Sequence, residues 1–380
     1  MPYALAKPPA RFSGLFGVIA AAAFVTSCTE TSPGPETPTS PVPNTQPAAP
    51  QNPDFSAIQA AVEANDVADM AVLIGNADEV LYRYEKGTFL ASEPVAVASA
   101  SKLVFGLLAW LEVERGAVSL TTRPQDVITF WTAEAADARS QITFDMLLAF
   151  TSGLNATPTD PSCVADPLIT LSACVEQIYN ESVLTAPGTA FFYGPKHMQT
   201  AALMLEQASG QSIDQRLIEV LTGPLGISDT LRYPARFGEN PRFSGSLEAS
   251  ADAYAAVLAA LLKGDLIADQ GGFLTNRLAG AALASVPSAI STAGLDWRYG
   301  FGFWIECDAP AFNAACEDEP TISSTGAFGF TPWIDFASGY WAIIAMEEPV
   351  TFSSNPAAVS ILLEQQLQPL IEAALPNSTN

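Results

Sequence analysis

"SASKLVFGLLAWLEVERG" (residues 99–116) is the stretch from which the fold is read. It begins with a serine, places a lysine three positions later, and then runs almost wholly apolar. Leu103, Val104, Phe105, Leu107, Leu108, Trp110 and Leu111 leave almost no polar face. A helix apolar all round is covered on every side, so this segment is expected at the centre of the fold. A serine at its start is ordinary as an N-cap. The spacing also puts Ser99 and Lys102 on one helix face. A serine hydroxyl needs a nearby base, and a lysine whose pKa is lowered by burial can accept a proton. At the helix N-terminus the Ser99 N–H is free to point at a developing oxyanion. Ser101 adjoins Lys102 and faces elsewhere. A Ser-His-Asp arrangement would have to use His197, the single histidine. On the tetrapeptide alone, capping and catalysis both stay open.

Working outward, "NPDFSAIQAAVEAND" (52–66) predicts a helix with Ile58, Ala61 and Val62 on one face. "MAVLIGNADEVLYRYEKG" (70–87) predicts two strands about a tight turn at Gly75 and Asn76. Residues from about 120 to 290 read as largely helical and irregular. "HMQTAALMLEQASG" and "SADAYAAVLAALLKG" are their clearest helices, each closed by glycine. The alternating, aromatic "WRYGFGFWIEC" (297–307) returns to strand, followed by "TISSTGAFGFTPWIDF" and "GYWAIIAME". "NPAAVSILLEQQLQPLIEAAL" closes as a helix. Strands, a helical middle and strands again predict an α+β fold. Both ends of the chain would complete an antiparallel sheet of five or more strands, flanked by helices, with a mainly helical lobe inserted.

The chain of 380 residues is 49% hydrophobic and 15% charged, so most of it should fold. Its formal net charge of -24 argues against nucleic-acid partners. Lys7 and Arg11 precede "LFGVIAAAAFVTSC", a short apolar run ending in small residues and Cys28. That order predicts a signal peptide over 1–27. "VTSC" resembles a bacterial lipobox, which implies lipidation of Cys28. Thr29 after it implies, by the same resemblance, the outer membrane. Residues 28–53 are rich in Pro, Thr and Ser and predict an extended tether. The folded domain is expected over 54–375, exported, with the membrane reached through the lipid alone. An oxidising compartment lets the remaining cysteines pair. Cys163–Cys174 and Cys307–Cys316, each closing a short loop, are the expected pairs. With one histidine and no Cys-x-x-Cys, neither a metal nor another cofactor is expected.

Several further segments carry a resemblance. "ITFDMLLAFTSGL" (142–154), "APGTAFFYG" (186–194) and "ALMLEQASGQSIDQRLIEVLTGPLGISDT" (202–230) accompany Ser-x-x-Lys in order. "SGSLEASADAYAAVLAALLKG" (244–264), "YGFGFW" and "STGAFGF" follow. Together they resemble the serine beta-lactamase and penicillin-binding-protein superfamily, in its class C-like branch of esterases, D-amino-acid peptidases and nylon-oligomer hydrolases. The resemblance spans roughly residues 55 to 370. It implies an acyl-enzyme at Ser99, with Lys102 and Tyr193 sharing the proton transfers. It implies an oxyanion hole from the N–H groups of Ser99 and Ala327. Substrate contacts are expected from Ser324, Thr325 and Gly326, with His197 lining the pocket or bonding nearby. Lys196, a residue earlier, is the alternative source of a cation. Two departures bear on substrate. Pro195 stands where the family has asparagine, and Ser324 where it has lysine or histidine. Losing an amide and a cation that meets carboxylates favours a small-molecule ester or amide over a beta-lactam or peptide. A beta-lactamase or cell-wall peptidase, and a binding protein on the same fold, remain alternatives. The Cys163–Cys174 loop is expected to border the pocket.

Overall fold

Residues 70–75 and 340–345 are apolar without a break because both faces of the strands they form are covered. The computed structural model describes residues 53–154, 162–181, 185–234, 240–278, 280–351 and 353–375. Seven strands form its main sheet: β1 (Met70–Gly75), β2 (Val80–Lys86), β3 (Arg298–Tyr299), β4 (Trp304–Ile305), β5 (Thr321–Ser323), β6 (Thr331–Asp335) and β7 (Tyr340–Ala345). Their order is β2-β1-β7-β6-β5-β4-β3, antiparallel at every described pairing. The first and last strands pair with each other inside the sheet, Ala71 opposite Ala345 and Gly75 opposite Trp341.

Side chains on a strand alternate between faces. Met70, Val72 and Ile74 join Tyr340, Ala342 and Ile344 in one apolar cluster. That cluster is completed by Ile58 and Val62 of α1 (Ser56–Ala64) and by Leu363, Leu367 and Ile371 of the C-terminal helix (Pro356–Ala374). Ala71, Leu73, Trp341 and Ile343 face the other way, into the larger core. There α2 (Ser101–Glu114) has every residue from 101 to 112 buried, as an apolar helix requires. The central helices that follow are α3 (Lys196–Ser209) and α4 (Ala251–Lys263), each ended by a glycine with positive φ, Gly210 and Gly264. The C-terminal helix is α5.

The expected fold class is therefore present, with seven strands in the main sheet. The middle of the chain departs in detail. It contains a parallel pairing of Ala190–Phe192 with Ala282–Ser285 and a small sheet of 95–96, 248–249 and 231–232. These strands have two to four residues, too few to show a period of two. Both expected disulfides are formed, Cys163–Cys174 and Cys307–Cys316, with Cα atoms 5.1 and 5.2 Å apart. The expected signal peptide, the lipidation site Cys28 and the tether up to residue 52 lie outside the described residues. No helix among the described residues is long and apolar enough to cross a membrane.

Candidate active site

Ser99 lies in a 3₁₀ turn, Ala98–Ala100, that runs directly into α2 at Ser101. The serine thus precedes the α-helix by one tight turn rather than beginning it. Lys102 keeps the expected place, its Nζ 2.9 Å from Ser99 Oγ. The turn is held from several directions. Ser101 Oγ donates to Ala98 O and accepts from Leu247 N–H. Tyr254 Oη donates to Ala100 O at 2.7 Å. Ala98 adopts φ 45°, left-handed backbone that costs a non-glycine residue about 1 kcal/mol or more. Two glycines seat the helix. A Cβ on Gly106 would overlap the Phe301 carbonyl, and one on Gly302 would overlap the Lys102 carbonyl. The connection between β3 and β4 therefore lies directly on the backbone of α2.

Tyr193 follows the short strand Ala190–Phe192 and precedes α3. Its hydroxyl is near enough to the Ser99 side chain to be influenced by it. Its ring stacks on Trp304, centroids 5.7 Å apart, and lies 4.5 Å from Lys102 Nζ. Burial pushes the phenol up to about 12, against the opposing effects of the Ser99 side chain and the Arg242 charge. The phenol is therefore protonated at neutral pH. Lys102 is buried and also donates to Ser244 O at 2.7 Å. A hydroxyl beside an amine and a phenol can give up its proton to whichever of the two is deprotonated, the arrangement that activates a serine nucleophile.

Ser99, Tyr193 and Trp304 open into a cleft of about 590 Å³. Thr325 and Ala327 border it. Among the described residues, the N–H groups of Ser99 and Ala327 donate no hydrogen bond within the protein. Two unengaged backbone donors beside a hydroxyl are what an oxyanion requires.

Other expected contacts fall elsewhere. Ser324 is a correction: its hydroxyl turns away from the cleft, within hydrogen-bond reach of Ser99 O at 3.2 Å and Gly302 O at 3.1 Å. It braces the turn and is not among the residues that line the cleft. Gly326 is likewise inside, its N–H on Phe330 O and a Cβ there excluded by Val97 O. Of residues 324–326, Thr325 alone lines the cleft. His197 is a second correction, being fully buried. Its Nε2 donates to Phe192 O at 2.9 Å, which leaves Nδ1 to accept from Ser152 Oγ at 2.8 Å. The ring stacks on Phe150. Burial pushes its pKa down to about 3, so it is neutral. Lys196 is buried on the first turn of α3 and does not line the cleft. Pro195 occupies the N-cap of α3. The described part of the Cys163–Cys174 loop does not line the cleft either, because both cysteines are buried in the core. The cleft walls come from residues 287–290 and 350–361, which carry no motif. The Ser244 carbonyl on Lys102 and the charge of Arg242 near Tyr193 were also not anticipated. A backbone carbonyl has no side-chain signature by which a sequence could disclose it.

A family model described as "Beta-lactamase" matches residues 56–365. Solved structures share the fold at low identity. A putative beta-lactamase from Bacteroides dorei DSM 17855 is 22% identical, covering 84% of this chain and 99% of its own, with a TM-score of 0.70. A D-stereospecific amidohydrolase from Streptomyces sp. is 15% identical over 86% of this chain and 100% of its own, with a TM-score of 0.63. EstCE1, described as a hydrolase with promiscuous acyltransferase activity, is 18% identical over 80% and 96%, with a TM-score of 0.61. A search of curated proteins finds no match. At these identities, the solved structures speak for the fold alone.

Proposed function

The chain belongs to the beta-lactamase family, and from that premise we propose that it is a serine hydrolase cleaving an ester or amide through an acyl-enzyme on Ser99. The observation that carries this reading is the 2.9 Å contact of Lys102 Nζ with Ser99 Oγ, with the Tyr193 ring 4.5 Å from that amine, at the mouth of a cleft. Ser99 Oγ attacks the substrate carbonyl carbon, and its proton leaves through the Lys102–Tyr193 pair. The carbonyl oxygen, now an anion, is met by the N–H groups of Ser99 and Ala327. As the tetrahedral intermediate collapses, the bond to the leaving group breaks and the pair returns the proton to it. Water then attacks the acyl carbon, and the acid departs with Ser99 regenerated.

Ester or amide hydrolysis is favoured over beta-lactam or cell-wall peptide cleavage by two positions. Pro195 supplies no side-chain amide, and the Ser324 hydroxyl is directed to backbone carbonyls. Acyl chemistry on this fold is in keeping with EstCE1, a hydrolase with promiscuous acyltransferase activity, and with the D-stereospecific amidohydrolase. Mixing the protein with a p-nitrophenyl ester should give a burst of nitrophenol followed by steady turnover. Ser99→Ala should lose about 10³-fold or more of the rate and the whole burst. Turnover retained by the variant would remove Ser99 as nucleophile.

We further propose that residues 1–27 direct export and that Cys28 carries the lipid, with residues up to 53 as a tether and 54–375 as the hydrolase domain. The support is the charge, apolar run and small-residue order that ends at "VTSC". Cells fed labelled palmitate should label the protein, and Cys28→Ser should lose the label. A labelled variant would overturn the anchor.

A further inference from the structure

Among the described residues, no charged side chain lines the cleft beside Ser99. In its buried part stand Trp304, Ile290 and Ile361, all apolar. Its exposed part, around Ser288, Thr351, Ser353, Ser354 and Asn355, presents hydroxyls and the Asn355 amide. Among the described residues, Tyr193 is the one ionisable side chain that lines it. Lys102 and Arg242, two cations among the described residues near the reacting serine, face other groups. Lys102 is engaged with Ser99 and Ser244, and Arg242 acts on Tyr193 without lining the cleft. Ala357, half-buried on the first turn of α5, completes the wall.

This composition has a consequence for the acyl group. An aliphatic or aromatic chain lying on Ile290, Ile361 and Trp304 gains by leaving water. A carboxylate brought to the same wall loses its hydration and meets no opposite charge, which is costly. The net charge of -24 adds long-range repulsion of anions.

We propose that this site selects uncharged acyl groups, seated on Ile290, Ile361 and Trp304, and that the Ala357 wall, which has no cation among the described residues, excludes acyl groups ending in a carboxylate. The proposal rests on the assignment of Ser99 as nucleophile, so its test separates the two. The full-length protein is treated with two fluorophosphonates of equal chain length, one ending in methyl and one in carboxylate. Labelling of Ser99 is followed by peptide mass spectrometry. The same comparison is made in turnover with p-nitrophenyl pentanoate and p-nitrophenyl hemiglutarate.

The neutral reagent should label Ser99 at least about 30-fold faster than the carboxylate reagent, the sign of an unpaired charge at an apolar wall. Ala357→Lys should narrow that ratio about tenfold or more by accelerating the carboxylate reagent, as an opposite charge nearby would. Ala357→Gln, of similar reach and neutral, should not narrow it. Equal labelling of the wild type by the two reagents overturns the inference and leaves the nucleophile standing. Equal ratios in the lysine and glutamine variants likewise overturn it. Labelling of Ser99 by neither reagent overturns the nucleophile assignment and the inference together.

Discussion

The His197 imidazole is a structural group held neutral between Phe192 O and Ser152 Oγ. Its pKa is pushed from 6.5 to about 3 by burial, with the Phe192 hydrogen bond opposing. Below about pH 6.5 the unfolded chain binds a proton here that the folded chain does not, so stability falls as pH drops toward 3. His197→Ala loses two hydrogen bonds and the Phe150 stack, and should cost about 2–4 kcal/mol at pH 7. The variant also loses the acid penalty, so the gap to wild type should shrink at pH 4. Urea unfolding of both proteins at the two pH values checks this, and a constant gap would contradict it. Labelling of the Ser99 nucleophile should persist in the folded variant, because His197 touches neither Ser99 nor the cleft.

Helix α5 connects the cleft to the sheet through two acids. Glu364 on α5 and Glu306, just after β4, are buried and close enough to act on each other's charge, and Glu306 Oε1 and both Glu364 oxygens have no hydrogen-bond partner among the described residues. Gln368 Nε2 donates to Glu306 Oε2 at 2.9 Å. Burial raises Glu306 to about 7, and burial together with the Glu306 charge raises Glu364 well above the usual carboxylate range. Two acids can share this site only while one of them keeps its proton. The unfolded chain releases its protons near pH 4.5, so the folded state loses stability as pH rises from there through 7. Glu364→Gln supplies an amide donor in place of the proton. It should stabilise the protein by about 1–3 kcal/mol at pH 8 and change little at pH 4.5, read as denaturant midpoints. A shift of the same size at both pH values would contradict the retained proton. The first turns of α5 carry Ala357 and Ile361 into the cleft, so this pair also steadies one wall of the site.

At the scale of the whole molecule, the charge of -24 is the dominant long-range term. Like charges spread over one folded body repel, and added salt screens them over about 10 Å at 0.1 M. The thermal midpoint should therefore rise by a few degrees between 0.05 and 0.5 M sodium chloride at pH 7. A midpoint that falls with salt would mean that specific surface ion pairs outweigh the net repulsion.

What the sequence determined by itself was local in origin. The sequences of β1 and β7 marked strands, and the all-round apolar α2 marked a central helix, because burial dictates residue type position by position. The Ser99–Lys102 spacing carried over to a 2.9 Å contact because one tight helical turn brings i and i+3 together. Each disulfide closes a short loop and paired as expected. Tertiary structure alone decided which polar groups face the cleft. Ser324 turns inward because the backbone carbonyls of Ser99 and Gly302, far away in sequence, lie within its reach. His197 is enclosed because Phe150 and Ser152 fold over it. The cleft walls at 287–290 and 350–361 meet Ser99 only through the long-range packing of α5 and its neighbours against the sheet. A side chain's type is set by how deeply it is buried, but its partner is set by which distant segment arrives beside it.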